Sequence, residues 1–314
     1  MDNTSRPDVS VVVPAYNESE SLSELLRETA AALSEHSYEV IAVDDGSTDD
    51  TWKVLRGLSD EYPLICLRFG TNKGKAAALS AGFARARGKL IATIDADLQD
   101  DPAEIPRLIR HLRENDLDLV SGWKKKRRDP VTKKVPSRLF NLAVRLTTRI
   151  RLHDFNCGLK VYRAKAAKTL RLFGEMHRYT PVITYQNGFA VGEKAVNHRP
   201  RKYGQTKYGV SRFFRGYADL LTVLFLHRYS VRPLHLFGGV GTVLSVAGFG
   251  ILLYLTILWF GGEGIGDRPL LLLGVLLLIV GLQFVSLGLL GEMVVRMKDK
   301  SAPLVRETHP PERE

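Results

Sequence analysis

The chain has 314 residues and 35.1 kDa, with 45 Lys plus Arg against 34 Asp plus Glu, a formal net charge of +11 and a mean hydropathy of −0.08. That length holds about two domains and excludes a peptide or a disordered tail, and the charge calls for acidic partners such as nucleic acid, anionic lipid or phosphorylated substrates. Only Cys66 and Cys157 are present, which excludes a disulfide framework and a Cys-based zinc site and suits a reducing compartment.

The N-terminal segment MDNTSRPDVS has no apolar signal region, so the domain after it is expected to stay unexported. Val9 to Val13 is a β-branched run ended by Pro14, and residues 19–36 follow with acidic and apolar positions at helical spacing. Strand and helix alternate again in YEVIAVDD and GSTDDTWKVLRGL, where Ser47, Thr48 or Asp49 could cap the helix, then in PLICLRF and NKGKAAALSAGFARA. A fourth strand, KLIATIDAD, runs into LQDDPAEIPRLIRHLREN, and DLDLVSG reads as a fifth strand. The alternation predicts an α/β fold, a doubly wound and mostly parallel sheet with ligands at the carboxyl ends of its strands.

The final third is apolar. Residues 236–262 carry no formal charge, and residues 269–291 form a second uncharged run. Each exceeds the ~18 residues that mark a spanning helix, so two transmembrane helices are expected. Arg212, Arg215, Arg228 and Arg232 precede the pair and Arg296, Lys298 and Lys300 follow it, which by the positive-inside rule makes both flanks cytoplasmic. Residues 211–232 place Phe213, Phe214, Tyr217, Leu220, Leu221, Leu224 and Phe225 at helical spacing, as in a helix lying in the membrane interface or packed on the soluble domain. The expected organisation is a catalytic domain over 1–210, an interfacial helix over 211–232, a two-helix anchor over 233–292 and a basic, disordered cytoplasmic tail over 293–314.

The chemistry sits at expected strand ends. Pro14, Ala15, Tyr16, Asn17 and Glu18 combine a rigid turn, an aromatic face and a carboxylate able to hold a planar base and its ribose. Asp44 and Asp45 end the second strand, where they could equally begin the Gly-Ser-Thr turn. On an extended strand Asp95, Asp97 and Gln99 would share one face, and such hard oxygen donors suit Mg²⁺ or Mn²⁺ that takes its remaining ligands from phosphates. No His spacing suggests zinc. A diphosphate would need more positive charge, and Lys73, Lys75, the block Lys124 to Arg128, Arg138, Arg199, Arg201 and Lys207 offer it; the block could instead contact anionic lipid. No Walker A loop, dinucleotide fingerprint or nucleophile elbow is present, which removes the main support for kinase, dehydrogenase and hydrolase readings.

Taken in order, VVVPAYNE, VDDGSTDDT, NKGKAAAL, DADLQDDP and RKYGQTKYG resemble the family 2 glycosyltransferases of the GT-A fold, specifically the dolichol- and polyprenyl-phosphate sugar synthases, over residues 9–210. The two C-terminal membrane helices match some bacterial members. The resemblance implies transfer of a hexose from a UDP- or GDP-sugar to a polyprenyl phosphate, undecaprenyl or dolichyl, at the lipid bilayer, with Mg²⁺ or Mn²⁺ as cofactor. It places the nucleotide on Pro14, Tyr16, Glu18, Val43 and Asp45, the sugar nucleotide on Asp95 and Ala96, and the metal on Asp97 and Gln99. Lys124 matches a basic residue that is commonly Arg in that family, a change that keeps charge and loses the bidentate fork. Arg201 and Lys207 match the late basic loop over the diphosphate, and Arg138 resembles a residue facing the acceptor phosphate. Catalytic roles thus fall to Asp97, Lys124 and Arg138. HDFNCGLKVYR matches an acceptor-side segment, with Asp154, Asn156 and Arg163 as its polar members. Cys157 within it reads as structural, and His177 and Arg178 could touch sugar or acceptor or form a structural pair.

Two other readings compete. A processive polysaccharide synthase should carry Q-x-x-R-W and more membrane helices, and none of Trp52, Trp123 and Trp259 has that context. A non-catalytic lipid-binding scaffold would not need the Asp95-to-Gln99 row. Nucleic acid is not an expected partner, since no recognition motif accompanies the charge; sugar identity, base and prenol length are not legible, and a homo-oligomer is left open.

Overall fold

The computed structural model describes residues 6–125, 145, 150, 152–174, 176–200, 202, 233–266 and 268–298. Arg138, Arg201, Lys207, most of the 124–128 block and the expected interfacial helix lie outside the described residues. The chain divides into two units, 1–223 and 224–314.

In the first unit, strands and helices alternate as β1 (Val9–Ala15), α1 (Leu22–Ala32), β2 (Tyr38–Asp44), α2 (Thr51–Leu58), β3 (Leu64–Arg68), α3 (Lys75–Arg85), β4 (Leu90–Thr93), α4 (Glu104–Glu114) and β5 (Leu119–Trp123). Then come β6 (Lys160–Arg163), α5 (Ala164–Lys168), a 3₁₀ turn (Met176–Tyr179), α6 (Thr180–Gln186) and β7 (Val191–Ala195). The strands and helices expected over residues 9–123 form, and β6 and β7 are additional to them. Pro14 lies inside β1, opposite Val43. β4 pairs with β1 only as far as Val12 and Thr93, so the proline's missing N–H faces no β4 partner.

The seven strands form one sheet in the order β3-β2-β1-β4-β6-β5-β7. Every neighbouring pair is parallel except β4 with β6 and β6 with β5. Only β6 is therefore reversed, and its amino end shares an edge with the carboxyl ends of the other six. Side-chain alternation splits the core in two. Val9, Val11, Val13, Val40 and Ala42 pack with Leu25 and Leu26 of α1, Leu55 of α2 and Leu108 and Leu112 of α4. Val12, Ile41, Val43, Ile91 and Tyr162 face the other way, against Ala78, Leu79 and Phe83 of α3 and Ala167 of α5.

The second unit holds α7 (Pro233–Phe260) and α8 (Pro269–Lys298), each long and apolar enough to cross a bilayer. α8 continues past Gly291, where the uncharged run ends. The two helices meet through small residues. A Cβ at Gly241 would stand 2.6 Å from the Gly281 carbonyl oxygen, and one at Gly248 would stand 2.7 Å from that of Gly274. Close backbone approach at small residues is how helices associate where lipid removes any hydrophobic drive. Val243, Phe249, Ile257, Phe260 and Leu272 remain exposed on the outer faces.

Candidate active site

The loops after β1 and β2 are laced together. The Asn17 N–H donates to Ser47 Oγ at 2.9 Å, the Thr48 N–H to Asn17 Oδ1 at 2.8 Å and the Glu18 N–H to Thr51 Oγ1 at 2.9 Å. Asp49 Oδ1 takes the Thr51 N–H at 3.0 Å, so of the three expected caps it is Asp49 that meets the first turn of α2. Asp44 accepts the Ser47 N–H at 2.9 Å and pairs with Arg68 at 3.2 Å. Asp45 accepts the Lys73 and Gly74 N–H groups at 2.7 and 2.9 Å, which fixes the start of α3 beside the β2 end. Gly46 has φ +70, and a Cβ there would fall 2.5 Å from the Thr71 backbone, so only glycine fits this turn. Tyr16 and Glu18 are half-buried beside it, while the Val43 side chain is fully buried in the α3-side core and can offer a ligand only backbone.

The row from Asp95 to Gln99 is not a strand. β4 ends at Thr93, and the segment turns, with Leu98 in the left-handed region at φ 59 and its side chain buried. The period-two argument for a shared face fails here, because a left-handed residue breaks the alternation. The turn instead folds back, with the Gln99 N–H donating to Asp97 Oδ1 at 3.2 Å.

Two lysines from either side hold this turn. Lys75, the first residue of α3, meets Asp95 Oδ1 at 2.5 Å, and Lys124, just past β5, meets Asp100 Oδ1 at 2.7 Å. Burial opposes the charge on Lys75, Asp95 and Lys124. Lys75 nevertheless holds the Asp95 carboxyl well below the usual carboxylate range, and Asp100 holds the Lys124 ammonium above the usual lysine range. Gly158 makes the arrangement fit, since a Cβ there would lie 2.5 Å from Asp95 Oδ2 and 2.8 Å from Asp100 Oδ2. The backbone of Asp100 bridges that of His198, and the Arg199 N–H donates to the Gln99 carbonyl at 2.9 Å. The stem of the late basic loop is thereby tied to the turn. Arg199 itself is engaged by Glu28 at 2.6 Å and Asp101 at 2.8 Å, which is a structural use of its charge.

Beyond β4 the edge continues with β6 and β5. Lys160 opens β6 opposite Thr93 and Ser121, buried, and burial pushes its ammonium down to about 8. Nothing in the sequence distinguished it from the surrounding run. Cys157 is buried, and burial with Asp100 nearby pushes its thiol up to about 12, which makes it an inert structural thiol. His177 is pushed well below the usual histidine range by burial and then by Lys75, so it stands neutral. Asp154 is buried and accepts the Asn156 N–H at 3.1 Å. Arg163 is not at this edge. Because β6 runs backwards, Arg163 falls opposite Leu90 at the far end of the sheet, paired with Asp116 at 2.7 Å. Trp123 and His153 stack at 4.3 Å, with Glu193 bonded to the imidazole.

Among the described residues no three His, Cys, Asp or Glu side chains converge as a metal cage. Mg²⁺ is usually held by one or two carboxylates plus substrate phosphates and not by an all-protein cage. Asp97 and Gln99 supply hard oxygens of that kind at the centre of the edge.

Glycosyl transferase family 2 matches residues 10–171. The dodecaprenyl-phosphate galacturonate synthase of Rhizobium johnstonii is 42% identical over 306 residues, covering 94% of this chain and 90% of that protein. An undecaprenyl-phosphate 4-deoxy-4-formamido-L-arabinose transferase of Pseudomonas syringae is 36% identical over 92% of this chain and 86% of its own. Among solved structures, glucosyl-3-phosphoglycerate synthase of Mycobacterium tuberculosis with Mn²⁺, UDP and glucosyl-3-phosphoglycerate superposes at a TM-score of 0.56, with 18% identity, over 70% of this chain and 80% of that one. The same enzyme with Mg²⁺ and UDP gives 0.55, with 19% identity, over 70% and 79%. These two carry the fold alone. The family match and the near full-length relatives establish that the chain belongs to glycosyl transferase family 2.

Proposed function

We propose that this glycosyltransferase moves a sugar from a nucleoside diphosphate sugar onto the phosphate of a membrane polyprenyl lipid. One observation carries the reading. The relatives that align over nearly the whole chain, apolar helices included, are named for sugar transfer on dodecaprenyl or undecaprenyl phosphate. An acceptor with a long isoprenoid tail stays in the bilayer, so an enzyme acting on it needs an anchor, and α7 and α8 are suited to be one. Residues 1–210 act as the catalytic domain, 211–232 as an interfacial helix and 233–292 as the anchor; the arginines and lysines flanking the anchor put both chain ends and the catalytic domain in the cytoplasm.

The chemistry follows from the acceptor. The second pKa of a phosphate monoester is near ~6, so its oxygen is anionic at neutral pH and needs no general base. That oxygen bonds to the anomeric carbon while the bond from that carbon to the diphosphate oxygen breaks, its electron pair leaving with the nucleoside diphosphate, and the configuration inverts. Asp95, kept ionised by Lys75, accepts hydrogen bonds from the sugar and fixes its orientation. Tyr16, Glu18 and Asp45 receive the base and ribose. Asp97 and Gln99 would hold a divalent cation, which when bound supplies positive charge to the leaving diphosphate. Lys124 reaches the same oxygens by sharing or leaving Asp100, and Arg138, Arg201 and Lys207 add positive charge.

The test is full-length protein in micelles with undecaprenyl phosphate, Mg²⁺ or Mn²⁺ and a panel of labelled UDP- and GDP-sugars. Label should pass into the organic extract with one donor and be released by mild acid as an anomeric phosphate. Absence of lipid-borne label with every donor, alongside intact binding of nucleotide, would reject the reading.

A further inference from the structure

Lys160 is a buried lysine with no ion-pair partner among the described residues, Asp95 and Asp154 acting on its charge only from longer range. The residue is 4% exposed, and its ammonium donates to the Cys157 carbonyl at 2.5 Å. Among the described residues no carboxylate stands within ion-pair distance of it; Asp95 is taken by Lys75 and Asp100 by Lys124. Lysine is almost never fully buried without a partner, because an unpaired buried ammonium costs several kcal/mol. A methionine would fill the same space without that penalty.

Its position says what the charge is for. Adjacent strands stand ~4.8 Å apart, and the edge runs β2, β1, β4, β6, β5. The base and ribose residues sit at the ends of β1 and β2 and the metal turn follows β4, so β6 lies on the far side of that turn from the base. On the functional reading above, the sugar and the attacking phosphate meet there. Lys160 shares a sheet face with Tyr162, the face covered by α3, from which Lys75 projects. His177 is in the same electrostatic neighbourhood and is neutral, so it does not compete for an anion.

We propose that Lys160 is a buried cation that receives a phosphate oxygen at the reaction centre, from the acceptor monophosphate or from the distal phosphate of the departing nucleotide. The inference rests on the function proposed above. Burial, and after it the nearby Lys75 charge, lowers the ammonium to about 8 against the opposing pull of Asp95 and Asp154, and an arriving phosphate favours its charged form.

The experiment compares full-length wild type with Lys160→Met, Lys160→Gln and Lys160→Arg in micelles. Calorimetric titrations use farnesyl phosphate, and separately UDP and GDP with Mn²⁺; thermal midpoints are taken without ligand. The neutral variants should lose tenfold or more in affinity for one probe, with a midpoint no lower than wild type for Lys160→Met, and Lys160→Arg should recover most of the affinity. Loss on the farnesyl phosphate arm assigns the acceptor, and loss on the nucleotide arm assigns the donor. A neutral variant that binds both probes within tenfold of wild type overturns the inference. So does failure of both neutral variants to fold while Lys160→Arg folds, which makes the charge structural. Wild-type protein that binds neither probe overturns the functional reading itself, a result separable from the other two.

Discussion

Gly158→Ala is the substitution whose effect the geometry fixes most closely. The new Cβ would sit 2.5 Å from Asp95 Oδ2 and 2.8 Å from Asp100 Oδ2, contacts that require movement. The glycine cannot retreat, because Thr93 Oγ1 donates to its carbonyl at 2.8 Å and the residues after it enter β6. The carboxylates cannot easily retreat either, each being paired with a half-buried lysine. Overpacking one methyl into such a site costs about 1–3 kcal/mol, which at roughly 2–4 °C per kcal/mol for a domain of this size lowers the midpoint by about 2–12 °C. The rate should suffer more than the stability. A displacement near ~1 Å at the sugar-binding carboxylate reduces transfer by roughly 10²-fold. Thermal unfolding and initial rates of lipid-borne label, taken on one preparation, measure both. A variant with an unchanged midpoint and an unchanged rate would refute the claim that Gly158 seats the two carboxylates.

Asp100→Asn strips the counter-ion from Lys124, whose side chain is 13% exposed, and should cost about 3–5 kcal/mol in denaturant unfolding; a loss below about 1 kcal/mol would mean that the pair is not held in solution. The depressed Lys160 ammonium has a folded pKa below its unfolded one, so the folded state sheds its proton first. Between about pH 8 and the ordinary lysine range near ~10.4, wild-type stability should therefore rise with pH relative to Lys160→Met, and a flat difference between the two titration curves would contradict the burial of that charge. In the anchor, a Cβ at Gly281 would meet Ser245 Oγ at 2.3 Å and the Gly241 carbonyl oxygen at 2.7 Å, whereas one at Gly250 meets nothing within 4 Å. Gly281→Val should weaken the helix pair by about 1–3 kcal/mol in detergent-induced unfolding and Gly250→Val should not; equal effects would contradict the packing.

Much of the fold was legible because burial writes its period into the chain. Val9, Val11 and Val13 against Val12 and Ile41 predict a strand buried on both faces, and charge-free runs of more than twenty residues predict the two long helices. The reversed strand was not legible. Lys160 to Arg163 is a four-residue element whose direction comes from its neighbours β4 and β5, and with it goes the placing of Arg163 at the wrong edge. In the site, residue types were readable and conformations were not. Asp95, Asp97 and Gln99 have the right chemistry, but the left-handed Leu98 turns what reads as a strand into a turn. Arg199 looked like a phosphate ligand because Glu28 and Asp101, which occupy it, are distant in sequence. Lys160 gave no signal at all, since the lack of a counter-ion among the described residues is a property of packing.

The central claim is that the turn carrying Asp97 drives transfer of a sugar onto a lipid phosphate, and the most direct measurement is the initial rate of lipid-borne label formed by Asp97→Ala beside wild type. With the thermal midpoint unchanged, the rate should fall by roughly 10²–10³-fold or more, the loss expected when a group that positions charge stabilisation at the leaving oxygen is removed. A folded Asp97→Ala enzyme that works within tenfold of wild type at saturating Mn²⁺ would contradict the account.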